Sequence, residues 1–192
     1  METLPNSFFE RDPALVAKEL LGKILARRLN SKGLSGKIVE TEAYYGEDDP
    51  ASKAYKGRKV FNELMYLDVG RAFIYMVHGN WLLNIVAHPK RCVGAVLIRA
   101  VEPLYGIGIM KKNRGVADTY ALTNGPGRLT KALKITKEHN GLDVTKPTSG
   151  IAIFKGPVES FEICASHRIG VKIDLPQELR FYIKGNKFVS KS

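Results

Sequence analysis

From Val39 to Gly46 the chain alternates between apolar and polar residues. In a β-strand this places Val39, Thr41 and Ala43 on one face, and Glu40, Glu42 and Tyr44 on the other. Two carboxylates and a phenol do not make a core surface. That face is either solvated, the ordinary fate of charged side chains, or it lines a pocket where at least one carboxylate does chemistry.

The flanking pattern supplies the frame. Asp12-Pro13-Ala14 reads as a helix start, with an N-cap aspartate and proline at the first helical position, and the helix is expected to end near Leu21 at Gly22. Residues 23–29 and 34–44 read as strands joined by Asn30-Ser31-Lys32-Gly33. Glu47 to Pro50 is a loop, and the basic stretch Lys56 to Lys59 leads into a short helix ending near Tyr66. Two apolar, β-branched and aromatic runs, 72–77 and 81–87, flank His78-Gly79-Asn80 and predict a hairpin with a three-residue connection. A buried-type strand follows at 93–100, then a helix opened by Pro103 and reaching Asn113, then a basic loop to Thr123. Asn124-Gly125-Pro126-Gly127 precedes a helix over 128–133, and short strands are expected at 150–154, 161–164 and 180–184. No repeat, low-complexity tract or linker divides the chain. The expected fold is one α+β domain over residues 1–192, with a mixed, mainly antiparallel curved sheet and short flanking helices.

Charge narrows the function. Thirty Lys+Arg against nineteen Asp+Glu give +11, a balance that favours a polyanionic partner, most often nucleic acid, over an inert basic surface. Nine basic residues fall between Lys90 and Lys134 against Glu102 and Asp118, whereas Glu40 to Pro50 holds five acids and no base. An acidic island in a basic chain is what a catalytic site acting on nucleic acid would look like. No apolar run is long enough for a membrane helix, and the residues from Met1 to Pro5 lack the pattern of a secretory signal. Cys92 and Cys164 stand alone, without a CxxC or Cys/His cluster, which argues for a reducing, intracellular setting and against structural zinc.

Several groups could carry chemistry. Arg99 ends a buried strand and needs a carboxylate. With Glu42 it forms either a structural ion pair or a general base kept ionised by the guanidinium. Tyr44, Tyr75 and Trp81 are aromatic candidates that could equally be core, while His78 at the hairpin tip presents a planar polar ring suited to nucleobases. Gly125, Gly127, Arg128 and Lys131 mark a helix N-terminus that can take a phosphate or simply turn the chain. Glu40, Glu42, Asp48 and Asp49 could bind Mg²⁺ in a nuclease, although their spacing is not diagnostic.

In combination these residues resemble the alkyladenine (3-methyladenine) DNA glycosylases, which remove damaged purines without lyase action. The matching motifs run in order: Leu20-Leu21-Gly22-Lys23, Val39-Glu40-Thr41-Glu42-Ala43-Tyr44, the hairpin with Gly70, Tyr75, Gly79 and Asn84, Leu97-Ile98-Arg99-Ala100-Val101-Glu102-Pro103, Gly125-Pro126-Gly127-Arg128-Leu129 and Arg180-Phe181-Tyr182. The resemblance implies a monomeric repair enzyme without metal or cofactor, acting on duplex DNA that contains alkylated or deaminated purines. It implies Glu42 as the base that activates water, Arg99 as its partner, and Tyr44 and Tyr75 on either side of a flipped purine. Asn84 would crowd the 2-amino group of guanine, the hairpin tip at His78 would fill the gap in the duplex, and Gly125, Gly127, Arg128 and Lys131 would meet the DNA backbone.

The chain departs from the family pattern at two positions. His78 stands where the family has tyrosine, and Lys53 where it has a pocket histidine. Lysine only donates hydrogen bonds and repels cations, so Lys53 is expected to favour neutral lesions with an acceptor at position 6, hypoxanthine first, unless it points outward. Its amine also raises the possibility of Schiff-base lyase chemistry, against which a solvated, protonated lysine argues. The alternatives to a glycosylase are a non-catalytic damaged-DNA-binding protein and a metal-dependent nuclease.

Overall fold

The alternating stretch lies in the longest strand of the computed structural model, which describes residues 2–190. Strand β1 (Ile24–Leu29) and strand β2 (Lys32–Tyr44) pair antiparallel with Leu29 opposite Lys32, so the turn between them is Asn30-Ser31 alone. Along its other edge β2 pairs with β5 (Ala95–Tyr105), and beyond β1 its Glu40–Glu42 end pairs with β8 (Arg180–Ile183). The sheet therefore forks at β2. One branch runs through β1 to β6 (Ile151–Phe154), the other through β8 to β7 (Ile163–Ser166). On the far side β5 joins the hairpin of β3 (Ala72–Val77) and β4 (Asn80–Val86). Every ladder among the described residues is antiparallel, in a sheet curled into a half-barrel.

Helix α1 (Asn6–Phe9), absent from the sequence expectation, precedes α2 (Pro13–Leu20), which starts as expected: the Asp12 carboxylate accepts from the N–H groups of Ala14 and Leu15 at 2.8 and 3.1 Å. Val16, Ala17 and Leu20 pack into the main core, and Thr41 donates to the Ala17 carbonyl at 2.8 Å, which ties the helix to β2.

Several expectations require correction. The tip of the β3–β4 hairpin is His78-Gly79, two residues with φ of 46° and 73°, and Asn80 already belongs to β4. Such a turn matches the twist of the strands and demands positive φ at both positions, which glycine adopts freely and histidine does not. Pro103 does not open a helix. It sits within β5 opposite Gly36, where a bulge relieves it of a ladder bond, and helix α3 (Ile107–Arg114) begins only after Gly106. Strand β7 lies two residues later than expected. The helix after Gly125 is α4 (Pro126–Leu133), with proline at its first position. Its Leu129 and Leu133 are fully buried, worth about 1.5–3 kcal/mol each, and Thr130 donates to the Trp81 carbonyl, joining α4 to the hairpin. Trp81 packs against the main core.

A smaller apolar cluster, Ala54, Met65, Phe73, Val86 and Ala95, anchors the lobe of residues 53–66, which ends in a 3₁₀ helix at Val60–Tyr66. No helix among the described residues is long and apolar enough to cross a membrane.

Candidate active site

A cleft of about 980 Å³ opens between the hairpin, the N-terminus of α4, the end of β2 and the segment 169–173. Its lining contains Lys53, Arg99, Arg114, Arg128, Lys131 and Lys172, but no aspartate or glutamate. The acidic island is therefore divided: Glu47 and Asp48 are exposed, whereas Glu40, Glu42 and Asp49 are buried. Glu40 and Glu42 are 0% exposed, which rules out a solvated carboxylate face on β2.

Each carboxylate instead has its own set of donors. Arg99 bridges the pair, with Nε 2.8 Å from Glu40 Oε1 and Nη1 3.0 Å from Glu42 Oε1. Glu40 also accepts from Arg180 Nε at 2.7 Å, from the Ser190 hydroxyl at 2.8 Å and from the Ser190 N–H at 2.7 Å. Glu42 accepts from the Ile169 N–H at 2.7 Å on Oε1 and from the Tyr44 hydroxyl at 2.8 Å on Oε2. Glu42 itself lies beneath the cleft surface, while Tyr44, Arg99 and Ile169, which hold it, face the cleft.

The two carboxylates titrate in opposite directions. Burial pushes Glu40 up, but Arg99, the Ser190 N–H and Arg180 outweigh it and hold the carboxyl below its ordinary value. At Glu42 burial dominates, and the pull of Arg99, Ile169 and Tyr44 leaves the carboxyl above its ordinary value, with the Glu40 charge adding to the rise. Burial, then the Glu42 charge, pushes the Tyr44 phenol well up, so it stays protonated and donates. Burial likewise pushes Tyr75 up to about 12.

The aromatic walls are Tyr44, only 8% exposed, and Tyr75. Lys53 also lines the cleft, its Nζ 4.9 Å from the centre of the Tyr75 ring, so it does not point away into solvent. Its carbonyl accepts from the buried Asn62 amide at 2.7 Å. Asn84 sits one layer behind the lining, donating to the Phe73 carbonyl at 3.2 Å and touching the Tyr75 phenol. His78 is exposed at the hairpin tip on the cleft rim. Gly125, Gly127, Arg128 and Lys131 also line the cleft, with Arg128 held by the Asn124 side chain at 2.8 Å. A Cβ on Gly127 would come within 2.8 Å of Asn80, so this glycine lets α4 close against the hairpin.

The four acids of the metal reading are not brought together. Asp49 is bound through both oxygens by Arg168, at 2.6 and 2.8 Å, Glu40 is filled by two arginines, and no group of three or more potential ligands converges among the described residues. Sequence reasoning missed Arg168, Ile169, Ser190 and Asn62, and missed that Glu40 rather than Glu42 takes the Arg99 Nε. Only Arg180 carried a signal, as part of the Arg180-Phe181-Tyr182 motif.

The family description "Methylpurine-DNA glycosylase (MPG)" matches residues 7–187. The chain belongs to the methylpurine-DNA glycosylase family. Among its relatives, a Clostridium novyi protein named "Putative 3-methyladenine DNA glycosylase" is 44% identical, with 100% of both chains covered. Proteins of the same name from Aeropyrum pernix and Carboxydothermus hydrogenoformans are each 43% identical, covering 98% of this chain and 93% and 98% of their own. In this member of the methylpurine-DNA glycosylase family, the matched span contains the Glu40–Glu42–Arg99 cluster and the cleft lining apart from Ser190.

Proposed function

We propose that the protein is a monofunctional base-excision glycosylase that extrudes a damaged purine nucleotide from duplex DNA and hydrolyses its N-glycosidic bond with a water activated by Glu42. The observation that carries this is a buried carboxylate with a raised proton affinity, placed beneath a cleft lined by six cations and no acid. A carboxylate has about four acceptor positions, of which Arg99, Ile169 and Tyr44 take three, leaving one on Oε2 for water. Glu42 takes a proton from that water, the oxygen bonds to C1′, the C1′–N bond breaks, and its electron pair passes into the purine. Extrusion is required because C1′ is inaccessible within a stacked duplex.

The purine lies between Tyr44 and Tyr75, His78 fills the vacated space, and Arg128, Lys131 and the N-terminus of α4 with Gly125 and Gly127 hold phosphates. Asn84, behind Tyr75, limits room for a guanine 2-amino group. A cationic purine departs neutral, whereas a neutral one departs with excess electron density that needs a donor. The Lys53 ammonium over Tyr75 supplies one and repels cationic bases, so neutral lesions with an acceptor at position 6, hypoxanthine first, are the preferred class. An intracellular site of action fits the two free cysteines.

The test is single-turnover excision from duplexes carrying hypoxanthine or 7-methylguanine, followed by alkali to cleave abasic sites. Alkali-dependent cleavage by the wild type, lost in Glu42→Gln with duplex binding kept, supports the reading. Tight binding without cleavage by the wild type would make it a recognition protein instead. Lys53→His is expected to lower the hypoxanthine to 7-methylguanine ratio roughly tenfold, the effect of removing about one unit of charge interaction. An unchanged ratio removes the charge argument.

A further inference from the structure

Arg168 takes no part in the scheme above, yet its guanidinium is engaged on every side and its side chain is 0% exposed. Nη1 donates to Asp49 Oδ2 at 2.6 Å and to the Ala43 carbonyl at 3.0 Å, Nη2 to Asp49 Oδ1 at 2.8 Å, and Nε to Asp174 Oδ1 at 2.8 Å. Its backbone N–H donates to Asp174 Oδ2 at 3.0 Å, so both ends of the residue are pinned. Two consequences reach Glu42. The next peptide is fixed with the Ile169 N–H aimed at Oε1, at 2.7 Å. The Tyr44 ring rests on the guanidinium, 4.6 Å from its centre, with its hydroxyl directed to Oε2.

We propose that Arg168 is a positioning residue for the general base: clamped by Asp49 and Asp174, it places two of the three donors on Glu42 and sets the plane of the aromatic ring against which the extruded purine stacks. The inference rests on Glu42 acting as the base. A lysine in its place would keep the charge but reach one partner at a time, because only the planar guanidinium fork engages two carboxylates and a carbonyl together.

The groups facing Glu42 are Glu40 and Tyr44 from β2, Arg99 from β5, Tyr75 from β3, and the Arg168–Ile169 segment, with Arg180 of β8 opposite Glu42 in register and bound to Glu40. The Ile169 and Tyr44 donors both favour the charged carboxylate. Loosening them raises the proton affinity of Glu42, so excision that needs ionised Glu42 must lose rate at a higher pH on its acid side. Arg99 and Glu40 are untouched by the change and cannot produce it.

The experiment is the pH profile of single-turnover hypoxanthine excision for the wild type, Arg168→Lys, Asp174→Asn and Glu42→Gln, with duplex affinity measured alongside. In Arg168→Lys the acid limb is expected to move up by roughly one pH unit, the scale of losing hydrogen bonds to a carboxylate. The plateau should fall roughly tenfold as Tyr44 loses its backing, with affinity changed far less. Asp174→Asn, at the edge of the cluster with 17% of its side chain exposed, should shift the limb in the same direction by less. It carries the test if Arg168→Lys does not fold. A folded variant of either kind with the wild-type limb, losing only thermal stability, overturns the proposal and leaves Glu42 as the base. Excision retained by Glu42→Gln sinks the base assignment itself, and the inference with it.

Discussion

Glu40 and Glu42 lie two residues apart on one strand, both fully buried and both bound to Arg99, yet their surroundings differ in kind. Glu40 faces β8 and the C-terminal segment, where two guanidiniums and the Ser190 hydroxyl converge on Oε1 and the Ser190 N–H holds Oε2. Glu42 lies beneath the cleft surface and shares a single guanidinium, with one further donor on each oxygen, the Ile169 N–H on Oε1 and the Tyr44 hydroxyl on Oε2. The first carboxyl is held below its ordinary value and the second lifted above it. Neither burial nor an arginine partner therefore fixes the proton affinity of a carboxyl by itself. What separates them, two residues apart on the same strand face, is the balance between desolvation and donors, and which of them lies beneath the cleft. Glu40 serves the site indirectly, by turning the Arg99 fork so that Nη1 is left for Glu42.

The largest expected effect breaks the pair apart by isosteric substitution. Glu42→Gln should lower excision on the order of 10²–10⁴-fold, the usual share of a general base, while its urea midpoint stays at or above the wild type, because a desolvated charge has been removed. Glu40→Gln should instead destabilise the fold by about 3–5 kcal/mol, since it removes one of the two carboxylates that balance the buried Arg99. Urea unfolding beside single-turnover excision would read both. A Glu42→Gln protein that unfolds easily, beside a stable Glu40→Gln, would reverse the assignment.

Acid sharpens the same contrast. Glu40 and Asp49 have lowered folded-state values, Asp49 because Arg168 and the Tyr45 and Ala51 N–H groups outweigh its burial. The stability they contribute is present above their unfolded values of about 4 and is lost as pH falls through the lower folded ones. Glu42 acts oppositely. The folded protein binds its proton more tightly, so its contribution weakens stability as pH rises from its unfolded value through the raised folded one. Between pH 7 and pH 3 the wild type should lose stability on balance. Glu40→Gln should flatten that loss and Glu42→Gln steepen it, as urea midpoints across the range would report.

Much of this was legible in the sequence, and the boundary is physical. Helix α2 with its Asp12 cap, the paired β1 and β2, the β3–β4 runs and the Glu42–Arg99 pair follow from local patterns of capping, alternation and charge. The fate of Glu40 could not be read, because its partners Arg180 and Ser190 stand 140 and 150 residues away. Arg168 gave no signal for the same reason: its meaning lies in contacts with Asp49 and Ala43, 119 and 125 residues distant. The error at Pro103 was of another sort. Proline ordinarily starts helices or ends strands, but a bulge opposite Gly36 admitted it to β5.

The smallest expected effect probes the Glu40 side without disturbing its charge. Ser190→Ala removes the hydroxyl that donates to Glu40 Oε1 and accepts from Arg99 Nη2 at 3.3 Å, but keeps the backbone N–H on Oε2. One hydrogen bond to a carboxylate that retains both arginines should amount to about 1–2 kcal/mol, seen as a lower urea midpoint with an unchanged slope. Because Arg99 Nη1 still reaches Glu42, the acid limb of excision should stay where the wild type has it. A shifted limb at unaltered stability would mean that the two carboxylates are not separable, and that the C-terminal segment sets the proton affinity of Glu42 through Arg99.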